Sequence, residues 1–545
     1  MSILDSIKPY ARFATGLRRY LRHKLTLEEA RAVVQRRLAE REANFLRLVE
    51  KGIFGHPRSP YLPLLKLAQV ELGDIRNMVR DKGLEGTLHA LHDAGVHITF
   101  EEFKGRQPIV RQGQTIPVSA RDFDNPHLRH YYQAQSGATT GAGTRVTKDL
   151  DHVGDQVPLI MLGFDAHGIL HAPWAVWFEI LPGQAGIANM LFGARMGNVP
   201  RKWFSSHTGR DSGSSTRRIA ATQLIVVLAR LFGSPIPWPE RVTLDQAPAV
   251  ARWAAEMVKA HGACMLNTSV SRNLRVCLAA LEEGLDLTGL TCWGASEPPT
   301  LGKVRDITGA GARWVPDYAF VEAGFVGVGC ARPADSNDIH FAKDALALIQ
   351  RPRQVADTGI TVDAFCFTAL LPSAPKILLN VESDDYGVIE QRTCGCPLES
   401  CGFTEHLRHI YSFGKLTGEG VTLVAGDMIR ILEQVLPARF GGSPLDYQLL
   451  EEEDEQGFTR LNLLIHPRIE ISDEAEVIDT VLDALRQGDG AAHMAQALWS
   501  QAKALRIQRK EPIWTAQGKL MPLHLGKRSD RSRGGSSGSP SAPRP

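Results

Sequence analysis

The sequence predicts an α/β protein made of two unequal bodies, and three observations carry that prediction. The chain has 545 residues, whereas a single hydrophobic core stops growing at roughly 250–300 residues. Between Ile219 and Leu290, stretches of helical period alternate with short apolar strands, the pattern of a layered α/β body. Beyond glycines 414, 418 and 420, helix-like and strand-like segments follow one another as in a small α+β domain. The expected layout is a helical N-terminal extension over 1–94, a large layered α/β domain over 95–414, a small mobile α+β domain over 415–525 and a disordered tail over 526–545.

Composition removes several classes of function. The formal charge of +2 is concentrated at the end, where 527–545 carries five Lys/Arg against one Asp. The body is therefore slightly acidic and lacks the basic footprint of a nucleic-acid binder. No apolar run reaches the ~18 residues that span a bilayer. Tyr10 to Leu27 is basic and free of acids, which suits a solvated helix face better than a membrane-surface helix. Eight cysteines in a chain of this length do not make a secreted disulfide framework, so a reducing cytoplasm is the expected location.

In chain order, Leu27, Ala30, Val34, Leu38, Phe45 and Leu48 recur at helical spacing, with Thr26 placed ahead of Glu28 and Glu29 as a cap. His97 to Phe100 and Gln114 to Val118 read as short strands. They lead to Ser136-Gly137-Ala138-Thr139-Thr140-Gly141-Ala142-Gly143-Thr144-Arg145, in which glycines, hydroxyls and a terminal cation suit a loop that wraps phosphate oxygens. It is not a Walker loop, because no Lys-Ser or Lys-Thr follows the second glycine. The stretch 159–187 is apolar and aromatic; its Trp174, Trp177 and Phe178 read as core, and the His167/His171 pair has no third metal ligand nearby.

Leu290 to Trp293 is a strand ending in Gly294-Ala295-Ser296-Glu297-Pro298, followed by a helix over 299–309 and a second strand into Asp317-Tyr318-Ala319-Phe320-Val321-Glu322. Such a strand, turn, helix and strand form a crevice where nucleotides settle in open α/β sheets, and two turns side by side can sandwich an adenine. Cys330 and His340 pair with Cys394-Gly395-Cys396, giving three thiolates and an imidazole for tetrahedral Zn²⁺, with Cys401 in reserve. Farther on, helices are expected over Asp427–Leu436 and Glu474–Arg486, the latter capped by Ser472-Asp473, and strands over Tyr447–Leu450 and Leu461–Ile465. The segment Pro512-Ile513-Trp514-Thr515-Ala516-Gln517-Gly518-Lys519 closes this domain.

Taken together, these motifs resemble those of the adenylate-forming (AMP-dependent) ligases: acyl-CoA synthetases, peptide-synthetase adenylation domains and luciferases. The loop at 136–145 is similar to their Ser-Gly-Thr-Thr-Gly-x-Pro-Lys signature, with Ala138, Thr144 and Arg145 as departures. Gly-Ala-x-Glu-Pro followed by Tyr-x-x-x-Glu resembles the phenylacetate–CoA ligase-like branch, which often carries a similar Cys/His and Cys-x-Cys arrangement. The resemblance covers 95–525 and rests on the order of five elements.

The resemblance implies that Ser136, Gly137, Thr139, Thr140, Gly141 and Arg145 hold phosphates, and that Gly294, Ala295 and Glu297 border the adenine with Tyr318 stacked on it. It further implies that Glu322 holds Mg²⁺, Asp385 the ribose hydroxyls with Asp384 as its competitor, Lys415 of the hinge a ribose or phosphate oxygen, and Lys519 the adenylation charge. Ala319 and Val321 depart from the pattern, the latter removing a hydroxyl donor. The implied activity is an AMP-forming ligase that joins a small carboxylic acid, through an acyl-adenylate made from ATP, to a thiol, CoA first of all. A carrier-protein thiol and a non-catalytic nucleotide-binding role are the alternatives. Zn²⁺ at Cys330, His340, Cys394 and Cys396 would be structural.

Overall fold

Among the residues described, twelve strands form one mixed sheet, and the order in which the chain visits them decides where a site can lie. The computed structural model describes residues 3–129, 131–135, 145–183, 185–206, 216–297, 299–354, 361–412, 425–453, 459–486, 505–515 and 517–525. The chain divides into two units, Met1–Gly414 with Trp514–Leu520, and Lys415–Ile513 with Met521–Pro545.

In the first unit the parallel half of the sheet runs, from its edge, Pro239–Arg241, Lys202–Ser205, Trp174–Trp177, Cys264–Ser269, Leu290–Ala295 and Arg313–Phe320. The chain starts in the middle at Trp174–Trp177, winds outward to one side, then returns to Cys264–Ser269 and winds to the other. Where winding reverses, neighbouring crossovers leave in opposite directions and a crevice opens beyond the C-terminal strand ends. Side chains alternate between the faces of a strand. Trp174, Val176, Met265, Trp293 and Val315 accordingly share a core with the helices Leu150–Ala166 and Ala185–Met196. Cys292 points the other way, its sulfur 3.8 Å from that of Cys277 on the helix Val270–Glu282.

From Gly324–Gly329 onward the sheet is antiparallel, passing through Ile339–Phe341, Glu405–Ser412, Val381–Gln391 and Thr361–Ala369 to Leu346–Gln354. The N-terminal helices cover this half: Phe45, Leu64, Val79 and Leu88 share a core with Phe341, Leu348, Phe365 and Phe367. The Tyr61 hydroxyl ties them down by donating to the Ile377 carbonyl at 3.1 Å. The predicted cap at Thr26 is a full capping box with Glu29. A second box, Thr99 with Glu102, turns the expected strand at 97–100 into the short helix Phe100–Phe103, leaving Ile98 one bridge to Val381. In the basic helix Ile3–Arg22, Phe13, Leu17, Tyr20 and Leu21 are buried in the protein's own core. No described helix is long and apolar enough to cross a bilayer.

The second unit holds a four-stranded sheet in the order Leu505–Arg509, Thr459–Ile465, Tyr447–Glu453, Leu523–Leu525. The helix Glu474–Arg486 is capped by Asp473, which accepts from the Ala475 N–H at 2.8 Å. The helical stretch expected to end at Leu436 continues through a π turn at Ile431–Val435 to Phe440. The class is therefore the predicted one, α/β with a large mixed sheet and a smaller C-terminal sheet.

Candidate active site at the strand reversal

The crevice at the reversal is walled by groups from three strand ends. Thr268 donates its hydroxyl to the Trp177 carbonyl at 2.8 Å, binding the two central strands together at their tips. Just beyond, the first turn of the helix Val270–Glu282 presents Arg272, which is fully buried. Arg272 donates to the Trp177 carbonyl at 2.9 Å, to Glu179 at 2.6 Å and to the Ser206 hydroxyl at 3.0 Å, and its guanidinium lies 5.1 Å from the centre of the Trp177 ring. A charge this deep is retained only when paired and hydrogen-bonded. Ser205 fills the other oxygen of Glu179 at 2.8 Å.

Onto this floor comes a turn from near the C-terminus. Gly518 N–H donates to the Thr515 carbonyl at 2.8 Å, Thr515 N–H to the Lys519 carbonyl at 2.9 Å and Lys519 N–H to the Thr515 hydroxyl at 3.1 Å, which closes the loop on itself. The Ser269 hydroxyl donates to the Gly518 carbonyl at 2.9 Å. Gly518 has φ +69°, and a Cβ there would stand 2.0 Å from Arg272 Nε, so only glycine lets the turn lie this close. Lys519 is buried, 8% exposed.

The turn after Leu290–Ala295 lies beside it. Gly294 is required by packing, because a Cβ would meet the Trp314 ring at 2.2 Å. Ser296 holds φ +80°, a strained position for a residue with a side chain. Glu297 is buried and accepts from the Ser271 N–H at 2.7 Å, the Ser271 hydroxyl at 2.6 Å and Lys303 Nζ at 3.3 Å. Its carboxylate thus serves the N-terminus of a helix, where negative charge is favoured.

Tyr318 and Asp385, far apart in sequence, are brought together: the Tyr318 hydroxyl donates to Asp385 at 2.5 Å, and Ser412 donates to the other carboxylate oxygen. Burial, then the Asp385 charge, holds the Tyr318 hydroxyl well above its usual range. Beside it, burial pushes Asp317 from its ordinary 3.8 up to about 7, against the Trp293 Nε1–H that donates to it at 2.6 Å. The folded protein therefore keeps a proton that the unfolded chain has released, and stability contributed by that proton is lost as pH rises from about 4 to 7. Asp317→Asn retains the acceptor and is expected to remove this downward slope in denaturant titrations; an unaltered pH profile would refute the assignment.

Glu322 is buried with Lys104 Nζ 2.6 Å from its carboxylate. Lys148, also buried, is brought down to about 7 by desolvation, with Glu322 acting the other way. Mg²⁺ at Glu322 would share that carboxylate with an ammonium. Ser136, Gly137, Thr139, Thr140, Gly141 and Lys415 lie outside the described residues, as does the Arg145 side chain. The strands flanking the loop, Tyr131–Gln135 and Arg145–Asp149, pair antiparallel.

Three of the four residues expected at the metal site, Cys330, His340 and Cys394, come together, and the fourth member of the group is His406, which the sequence did not single out, in place of Cys396. Ligand atoms of Cys330, His340, Cys394 and His406 all lie within 4.8 Å of one another. Cys396 Sγ is 3.0 Å and Cys394 Sγ 3.7 Å from His340 Nε2. The other ring nitrogen of His340 meets the Phe403 carbonyl at 2.8 Å, while His406 Nδ1 meets Asp338 at 2.6 Å. His406 Nε2 is buried and has no hydrogen-bond partner among the described residues. The Cys330 thiol is pushed up and that of Cys396 pulled down, chiefly by the hydrogen bond between them. Clustered thiols and an imidazole nitrogen with no partner among the described residues suit a divalent ion with soft ligands. Cys401 instead donates to the Pro397 carbonyl at 3.5 Å. His167 sits on the Gly329 carbonyl at 3.0 Å while His171 is exposed beyond the helix end, so that pair does not converge.

No family model matches the chain, and no curated protein matches it in sequence. Among solved structures, 2-hydroxyisobutyryl-CoA ligase in its postadenylation state is similar at 14% identity and a TM-score of 0.49, over 92% of this chain and 90% of that one. The anthranilate CoA ligase AuaEII in complex with anthranoyl-AMP is similar at 12% identity and a TM-score of 0.41, over 81% and 75%. The McyG A-PCP structure with phenylalanyl-adenylate is similar at 11% identity and a TM-score of 0.39, over 92% and 94%.

Proposed function

We propose that the chain is an AMP-forming acid–thiol ligase. A carboxylate attacks the α-phosphorus of ATP, the bond to the β-phosphate oxygen breaks, and pyrophosphate leaves. A thiolate then attacks the acyl carbon and AMP leaves with the electron pair. The observation that carries this reading is the burial of Lys519, in a glycine turn, at the reversal crevice of the parallel half-sheet and beside the Gly294–Glu297 turn. An ammonium there can neutralise charge building between carboxylate and phosphate.

In this reading Tyr318 and Asp385 hold the adenosine, Glu322 takes Mg²⁺ in competition with Lys104, and the 136–145 loop holds the phosphates. CoA is the first choice of thiol. An acceptor within the small unit is ruled out by the sequence, since no cysteine follows Cys401; a carrier protein would have to bring its own thiol. Zn²⁺ at the Cys/His cluster would fix the antiparallel half of the sheet. The test is a panel of carboxylic acids with ATP, with and without CoA, read as pyrophosphate and AMP. Acid-dependent release of both supports the reading, and ATP-induced stabilisation with no release from any acid points to a binding protein.

A further inference from the structure

We infer that Glu297 and Lys303 are positioning residues for Lys519, a role that rests on the ligase reading above and differs from bordering the adenine. Two observations support it independently of the resemblance: the side-chain carboxylate of Glu297 is already committed, and what it is committed to leads to Lys519.

The chain of contacts starts at the carboxylate. Ser271 donates its hydroxyl hydrogen to Glu297 at 2.6 Å. A hydroxyl has one hydrogen and two lone pairs, so this bond turns a lone pair outward. That lone pair receives the Leu520 N–H at 3.4 Å. Lys303, held by Glu297 at 3.3 Å, donates on its far side to the Leu520 carbonyl at 3.2 Å. Both polar groups of Leu520 are therefore gripped by side chains that Glu297 orients. On the other side of Lys519, Ser269 grips the Gly518 carbonyl. The peptide planes before and after Lys519 are both fixed, and with them the direction in which its side chain leaves the turn.

Burial makes the grip stiff. The side chains of Glu297 and Lys303 are 1% and 3% exposed, so water does not loosen the pair. Arg275, one turn beyond Ser271 in the helix Val270–Glu282, lies 5.7 Å from the Trp514 ring and braces the start of the turn. The backbone after Gly294, with Ser296 in the left-handed region, is what drops the carboxylate of residue 297 under the helix end.

The two roles for Glu297 separate cleanly in kinetics. A residue that borders the adenine acts on nucleotide affinity; one that aims Lys519 acts on the rate of adenylate formation. Glu297→Gln is expected to lower kcat for carboxylate-dependent ATP–pyrophosphate exchange about 10²-fold, the size of a small misplacement of a catalytic group. KM for ATP should hold, as should transfer of a preformed acyl-adenylate to thiol. Peptide-resolved amide exchange should show 514–520 exchanging faster with the rest of the large unit unchanged. Lys303→Met is the second variant, should Glu297→Gln not fold, and Lys303→Arg should restore part of the rate. A raised KM for ATP with kcat intact, or unchanged amide exchange at 514–520, would overturn the inference. If the unmodified protein shows no exchange with any acid, the ligase reading fails instead, and the amide-exchange arm still decides whether Glu297 holds the turn.

Discussion

Lys519→Ala is expected to lower carboxylate-dependent ATP–pyrophosphate exchange by at least about 10²–10³-fold, the usual consequence of removing one preorganised stabiliser of transition-state charge. The geometry gives the reason for so large an effect from one side chain. Lys519 is 8% exposed, and its turn is closed by three internal hydrogen bonds and held within the large unit by Ser269, Ser271 and Lys303. A cation held this way needs little reorganisation when charge develops, and in a water-poor crevice it acts at low dielectric. Arginine should not rescue it, since a planar fork cannot replace a compact ammonium in a closed turn. Transfer of a preformed acyl-adenylate to thiol should persist, because the thiolate attacks the acyl carbon and not the α-phosphorus, and Lys519 is proposed to serve only the attack at phosphorus. Exchange that survives in a folded Lys519→Ala protein would remove the proposed electrophile stabiliser and the assignment with it.

What was legible in the sequence was what depends on local pattern. Period-2 and period-3.6 stretches and the Thr26 cap are written in neighbouring residues, and they appear where expected. The Gly518–Lys519 turn is also local in sequence, but it groups with the first unit and not with the small domain in which it was expected. The strand at 97–100 was misread because a Thr-x-x-Glu capping box competes with β-branched propensity over so short a stretch, and the box wins two backbone hydrogen bonds. Partnerships made only in three dimensions were not legible. Arg272 with Glu179, Lys104 with Glu322 and Asp338 with His406 join segments 68 to 218 residues apart, and no spacing rule links them. His406 is the sharpest case: it sits in the strand Glu405–Ser412 with no metal-ligand spacing around it, and becomes a candidate ligand only because the register of that strand sets it opposite His340.

That register leads to the second large effect, at the Cys/His cluster. The protein as purified is expected to hold one zinc per chain by elemental analysis. Removing it with a chelator, or substituting Cys394→Ser, should destabilise the large unit by about 4 kcal/mol or more, the range reached when a structural metal is lost. The ligand that decides the site is His406. Its Nδ1 is fixed by Asp338, which aims the bare Nε2 lone pair, and a buried acceptor left without a partner costs about 1–3 kcal/mol. A metal at Nε2 relieves that cost and makes Asp338 the outer partner that orients the ring. Arg392, which donates to both Asp338 and the Cys330 sulfur, steadies one ligand directly and His406 through its outer partner. His406→Ala should therefore release zinc together with stability, whereas Cys396→Ser should keep zinc if the His340–Cys396 contact is only a hydrogen bond. Full zinc occupancy in folded His406→Ala would exclude the imidazole and return the fourth position to Cys396, completing a site of three thiolates and one histidine.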